Sequence, residues 1–194
     1  MFIKTEDTPN PETLKFIPGQ IVSPNKNYSF NDLSDAKNIS PLAIALFETD
    51  LVKTVFFGDE FISITKLPEH NWDFIKAEIL SVITEHFLSG QPTIIADQIA
   101  GEESGQQHDD AADDDSEVVK EIKGIIDQKV RPAVAQDGGD IIFRGFNEET
   151  GVVLLEMQGA CSGCPSSTIT LKNGVERLLN HYIPAVTMVE EYYQ

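Results

Sequence analysis

Apolar residues recur at spacings of three and four in three stretches of the chain and alternate with polar residues in shorter stretches between them. In the first half, Trp72, Ile75, Ile79, Val82, Ile83 and His86 share one helical face, which predicts a helix after Pro68 that ends at Gly90-Gln91-Pro92. A shorter helix is expected around Pro41 to Phe47, with Ser40 as N-cap and Pro41 at the first helical position. β-rich segments fall near Phe2 to Glu6 and Thr13 to Ile17. Val52 to Phe57 and Phe61 to Lys66, separated by Gly58-Asp59-Glu60, read as a hairpin.

The second half carries its own pattern. Val118, Ile122, Ile125, Ile126 and Val130 lie on one helical face, and Pro132 should break or kink that helix just before Asp137-Gly138-Gly139-Asp140. Two strands follow, Asp140 to Phe146 and Val152 to Met157, and the second delivers the chain to Cys161. From Pro165 onward Thr168, Leu171, Val175, Leu178, Leu179 and Tyr182 trace a further helix, and Val186 to Val189 forms a closing strand. The order helix, strand, strand, helix, strand places helices against a small sheet, an α+β domain.

Between the halves the composition changes. From Ile99 to Ser116 large apolar residues vanish, and seven carboxylates accumulate without a single Lys or Arg. Their mutual repulsion predicts an extended, solvated tether. The expected organisation is therefore two small domains, residues 1–90 and 117–194, joined by an acidic linker over 91–116. A hydrophobic content of 41% is too high for the whole chain to be disordered.

The formal net charge of −18, with only 14 Lys and Arg residues, argues against nucleic acid or an anionic membrane as a partner. No apolar run is long enough to cross a bilayer. The opening Met1-Phe2-Ile3-Lys4-Thr5-Glu6-Asp7 has neither a signal-peptide apolar stretch nor the Arg-rich, acid-poor character of a transit peptide, so a cytoplasmic protein is expected.

The two cysteines, Cys161 and Cys164, form one CxxC pair, which is unlike a secreted disulfide framework. They sit in a loop that opens a helix, and a helix N-terminus favours the thiolate form that binds metal or attacks a disulfide. An iron–sulfur cluster, a structural zinc and a redox-active disulfide all use such a pair, and an incidental pair is the fourth reading. Clusters and structural zinc usually take four protein ligands. His181 lies 17 residues beyond Cys164, roughly 25 Å along a helix at 1.5 Å per residue, so it cannot close the site. A metal centre then implies two copies meeting at a two-fold axis, each giving two thiolates. The redox reading, a thiol–disulfide oxidoreductase, needs no second copy. It lacks the Trp before the pair and the βαβ start of the thioredoxin arrangement. The Asp137-Gly138-Gly139-Asp140 segment reads as a turn with positive-φ glycines, and His70, His86 and His108 have no ligand-like spacing. Nothing suggests nucleophilic catalysis, so no enzyme is expected.

Two segments in order, Arg131-Pro132-Ala133-Val134-Ala135-Gln136-Asp137-Gly138-Gly139-Asp140 and Gly159-Ala160-Cys161-Ser162-Gly163-Cys164-Pro165-Ser166-Ser167-Thr168, closely resemble the C-terminal domain of NifU-like proteins. Thr5-Glu6-Asp7-Thr8-Pro9-Asn10-Pro11-Glu12-Thr13-Leu14-Lys15-Phe16 and Phe61-Ile62-Ser63-Ile64-Thr65-Lys66 are similar to the Nfu N-terminal domain. The resemblance implies an iron–sulfur cluster scaffold or carrier. It would hold a four-iron four-sulfur cluster, with two-iron two-sulfur as the other nuclearity, through Cys161 and Cys164 of two protomers. A cluster-bridged homodimer, upstream cluster assembly proteins and apo iron–sulfur client proteins are the implied partners.

Overall fold

The computed structural model describes residues 2–24, 26–95, 116–162 and 165–192, from backbone alone at 165–167. The described residues form two compact units, one on each side of residues 96–115, and the fold is mixed α and β in both. The acidic run of the expected linker lies outside the described residues.

The first unit is a five-stranded antiparallel sheet in the order β1 (Lys4–Asp7), β2 (Thr13–Ile17), β5 (Ile62–Lys66), β4 (Val52–Phe57), β3 (Tyr28–Phe30). Its helices are α1 (Leu33–Ala36), α2 (Pro41–Phe47) and α3 (Trp72–Ser89). Ile75, Ile79, Ile83 and His86 of α3 are buried at helical spacing. They join a core that includes Phe16, Leu42, Leu46, Ile62 and Ile64. Asn71 caps the start of α3 by accepting from the Asp73 N–H, and Gly90 ends it in the left-handed conformation at φ 71°. The hairpin β4–β5 forms as the sequence predicts. The strand β3 and the helix α1 were not expected, because three and four residues are too few to express a period.

Ser40 caps α2 from a fully buried position. Its hydroxyl accepts from the Ala43 N–H at 3.1 Å and donates to the Thr93 carbonyl at 2.6 Å. Ser40→Ala would remove the cap and strand that carbonyl, which should lower stability by about 1–2 kcal/mol. Chemical denaturation of the full chain, read through Trp72 fluorescence, would measure the loss, and an unchanged midpoint would refute it.

The second unit has three strands in the order β6 (Gly139–Asn147), β7 (Val152–Gly159), β8 (Met188–Glu191). β6 and β7 are antiparallel, whereas β8 runs parallel to β7 and is reached through the crossover helix α6 (Pro165–Tyr182). Along β7 burial alternates strictly, with Val153, Leu155 and Met157 turned inward. Ile122, Ile126, Val175, Leu179 and Val189 complete this core.

Pro132 does not break the preceding helix. The chain runs through α4 (Glu117–Ile125), a π-helical turn (Ile126–Val130) and α5 (Arg131–Gln136). Proline lacks the N–H that a regular helix would use, and the wider π turn immediately before it absorbs the mismatch. The helical path therefore continues to Gln136 and delivers Asp137-Gly138-Gly139 directly to the start of β6.

Candidate metal centre

Cys161 stands where two glycine-containing turns meet. β7 ends at Gly159, whose φ of 66° turns the chain out of the sheet, and Gly138 precedes β6 at φ 83°. Gly139 and Gly159 are partners in the β6–β7 register, and the Ala160 N–H donates to the Gly138 carbonyl at 3.0 Å. The Asp-Gly-Gly turn expected from sequence thus has positive φ at one glycine only. Gly139 serves a different need, that of close approach: a Cβ there would lie 2.5 Å from Cys161 Sγ and 2.6 Å from the Gln158 carbonyl oxygen. The cysteine side chain is seated on the bare face of this glycine.

A part-buried ion pair braces the same corner. Arg131 Nε and Nη2 each donate at 2.8 Å to the two carboxylate oxygens of Asp140, whose side chain is 4% exposed. Asp140 Oδ1 also accepts from the Ile141 N–H at 2.8 Å. Donating these hydrogen bonds to Asp140 pushes the Arg131 guanidinium pKa further up. This two-point clasp ties the start of α5 to the start of β6. Sequence reading passed over it, although Arg and Asp nine residues apart around a Gly-Gly turn are the available signal. On the other side, the Thr168 hydroxyl in the first turn of α6 donates to the Cys161 carbonyl at 3.0 Å, and the Ser162 hydroxyl donates to the Gly159 carbonyl at 2.9 Å.

The electrostatics of Cys161 run opposite to the expectation of a thiolate favoured by the helix N-terminus. Cys161 is buried, and burial pushes its thiol up to about 12, with the Asp137 and Asp140 carboxylates adding to the shift. The residue lies in the turn just after β7 and packs inward on Gly139, so the helix dipole does not dominate. A buried, protonated thiol is a poor attacking group for disulfide exchange. A metal, by contrast, displaces the proton when it binds. Cys164 and Gly163 lie outside the described residues. Among the described residues no group of three or more His, Cys, Asp or Glu could hold a metal ion.

Residues 3–90 match the family model described as scaffold protein Nfu/NifU N terminal, and residues 122–190 match the NifU-like domain. Over 191 residues the chain is 44% identical to NifU-like protein 5, mitochondrial, of Arabidopsis thaliana, covering 98% of this chain and 68% of the relative. It is 46% identical over 194 residues to the NFU1 iron-sulfur cluster scaffold homolog, mitochondrial, of Drosophila virilis, covering 100% and 62%. A solution structure of a NifU-like protein from Saccharomyces cerevisiae is 30% identical, covers 48% of this chain and 84% of its own, and has a TM-score of 0.43. The mitochondrial names of the relatives overturn the cytoplasmic expectation. That expectation rested on the character of the first residues. With both halves matched in order and a relative aligned over two thirds of its length, the chain belongs to the Nfu/NifU family of iron–sulfur cluster scaffolds.

Proposed function

We propose that this protein holds a four-iron four-sulfur cluster as cargo between two copies of itself, each giving Cys161 and Cys164, and surrenders it to apo-proteins by ligand exchange. One observation carries the reading. Cys161 is fixed at the junction of β7 and α6 by Gly139 and the Arg131–Asp140 clasp, while the chain offers only two thiols to a centre that takes four. A two-fold pairing completes the ligand set with no other residue. A cluster held by two thiolates per chain at the edge of a small unit can pass to a client that presents its own cysteines, as the two copies separate. In this reading residues 1–90 form a unit that engages clients or assembly partners, and 91–116 tether it to the cluster unit at 117–194.

The test is anaerobic reconstitution of the full chain with iron and sulfide, followed by metal and sulfide counts and mass in solution. Four irons and four sulfides per dimer, appearing together with a shift from monomer to dimer, are expected. Two irons and two sulfides per dimer would correct the nuclearity. A colourless monomer that cycles an internal disulfide would overturn the reading.

A further inference from the structure

Two copies of a chain with formal net charge −18 repel each other at long range, and a contact surface free of charge adds no local repulsion to that. Such a surface lies beside Cys161. α6 is joined to the cysteine turn by the hydrogen bond from Thr168, and the residues after Thr168 expose Ile169, Thr170, Asn173 and Gly174. The spacing of four from Ile169 to Asn173, and from Thr170 to Gly174, places them on one face of the helix. None is charged, in a chain where 24% of residues are. Ile169 is 58% exposed, whereas Val175 and Leu179 on the opposite side of α6 are buried in the core. α5, which leads into the other wall of the cysteine turn, also exposes the uncharged Pro132 and Ala133. The charges closest to this face are exposed Arg177, one turn beyond Asn173 on the same side and thus its far limit, half-buried Lys172 and Glu176 on its flank, and, around the cysteine turn, exposed Asp137 and half-buried Arg131.

Gly174 is a second, separate anomaly. A glycine inside an exposed helix weakens it relative to alanine. Here a Cβ would meet nothing within 4 Å, and φ is not left-handed, so the chain itself gives no reason for glycine. Glycine does allow another backbone to come close.

We infer that the uncharged face of α6 formed by Ile169, Thr170, Asn173 and Gly174 is the surface on which a second copy packs when the cluster is shared. The inference rests on the shared-cluster reading above. With the cluster on a two-fold axis, residues next to its ligands lie near that axis and meet the same stretch of the other copy. Ile169 then covers the edge of the cluster against water, and Gly174 lets the two α6 helices approach.

The experiment reconstitutes the full-length parent, Ile169→Lys and Gly174→Ala with iron and sulfide. It measures the dimer dissociation constant by sedimentation, the rate of cluster loss to a ferrous chelator, and the melting temperature of each apo form. Ile169→Lys should melt like the parent without the cluster, because the side chain is exposed, and should dimerise at least about tenfold more weakly when loaded. Gly174→Ala should raise the apo melting temperature, since alanine favours the helix, and yet weaken the loaded dimer and speed cluster loss. These opposite signs cannot come from a fold defect. A loaded Ile169→Lys dimer as tight as the parent would overturn the inference while leaving the shared cluster in place. Should Ile169→Lys destabilise the apo form, Gly174→Ala decides alone, and a loaded dimer as tight as the parent's would overturn the inference. A parent that loads no bridged dimer would overturn the shared-cluster reading, and this inference with it.

Discussion

Cys161→Ser should abolish the bridged cluster. In a symmetric pair one substitution removes two of four thiolates at once, and a serine hydroxyl stays protonated where a thiol yields its proton to iron. After anaerobic reconstitution the variant should retain about a tenth or less of the parent's iron and remain a monomer. The fold should survive, because serine is smaller than cysteine and would sit on Gly139 with room to spare. Its hydroxyl would have to find a partner in a buried site, which limits the cost to about 1–3 kcal/mol. Circular dichroism of the apo form separates the two effects. Parent-like iron content and spectrum in Cys161→Ser would remove this residue from the ligand set.

Asp140→Ala should be among the most damaging changes outside the cysteines. It strands the Arg131 guanidinium, leaves the Ile141 N–H without its acceptor, and opens a space at a position only 3% exposed. Breaking a buried pair by removing one partner costs about 3–5 kcal/mol, and the lower end applies because the Arg131 side chain is 34% exposed and regains some water. A loss of about 3 kcal/mol should lower the melting transition of this unit by roughly 10–20 °C. Asp140→Asn keeps the shape and one good acceptor, so it should cost only about 1–2 kcal/mol. The same ranking should appear in cluster yield. Asp140 follows Gly139, and loosening the start of β6 frees the glycine on which Cys161 rests. An Asp140→Ala protein that melts with the parent would show that the clasp does not hold this corner.

The long elements were legible in the chain because each expresses its period many times. α3 and α6 repeat their apolar stripes over 18 residues each, and β7 alternates over 8. Three-residue β3 and four-residue α1 are held by tertiary pairing and a side-chain cap, signals that no periodicity carries. Pro132, expected to break or kink the helix, marks an irregularity in it and not its end. A proline's missing N–H dictates a break only if the backbone has no other turn available, and the π turn at Ile126–Val130 supplied one.

The site divides in the same way. Sequence by itself determined which atoms are available: two thiols three positions apart, too few ligands for one metal centre, glycines on both sides, and two motifs in family order. It could not determine the state of Cys161, because a pKa depends on what surrounds the group and not on which helix follows it. Only the tertiary structure decided that this thiol is buried on Gly139 beside two carboxylates, with the Arg131–Asp140 clasp bracing the start of β6 next to that glycine. The contacts of Cys161 with Gly139 and the two carboxylates join residues more than 20 positions apart, which the pairing of β6 with β7 brings together, whereas the clasp spans only the nine residues around the Gly-Gly turn.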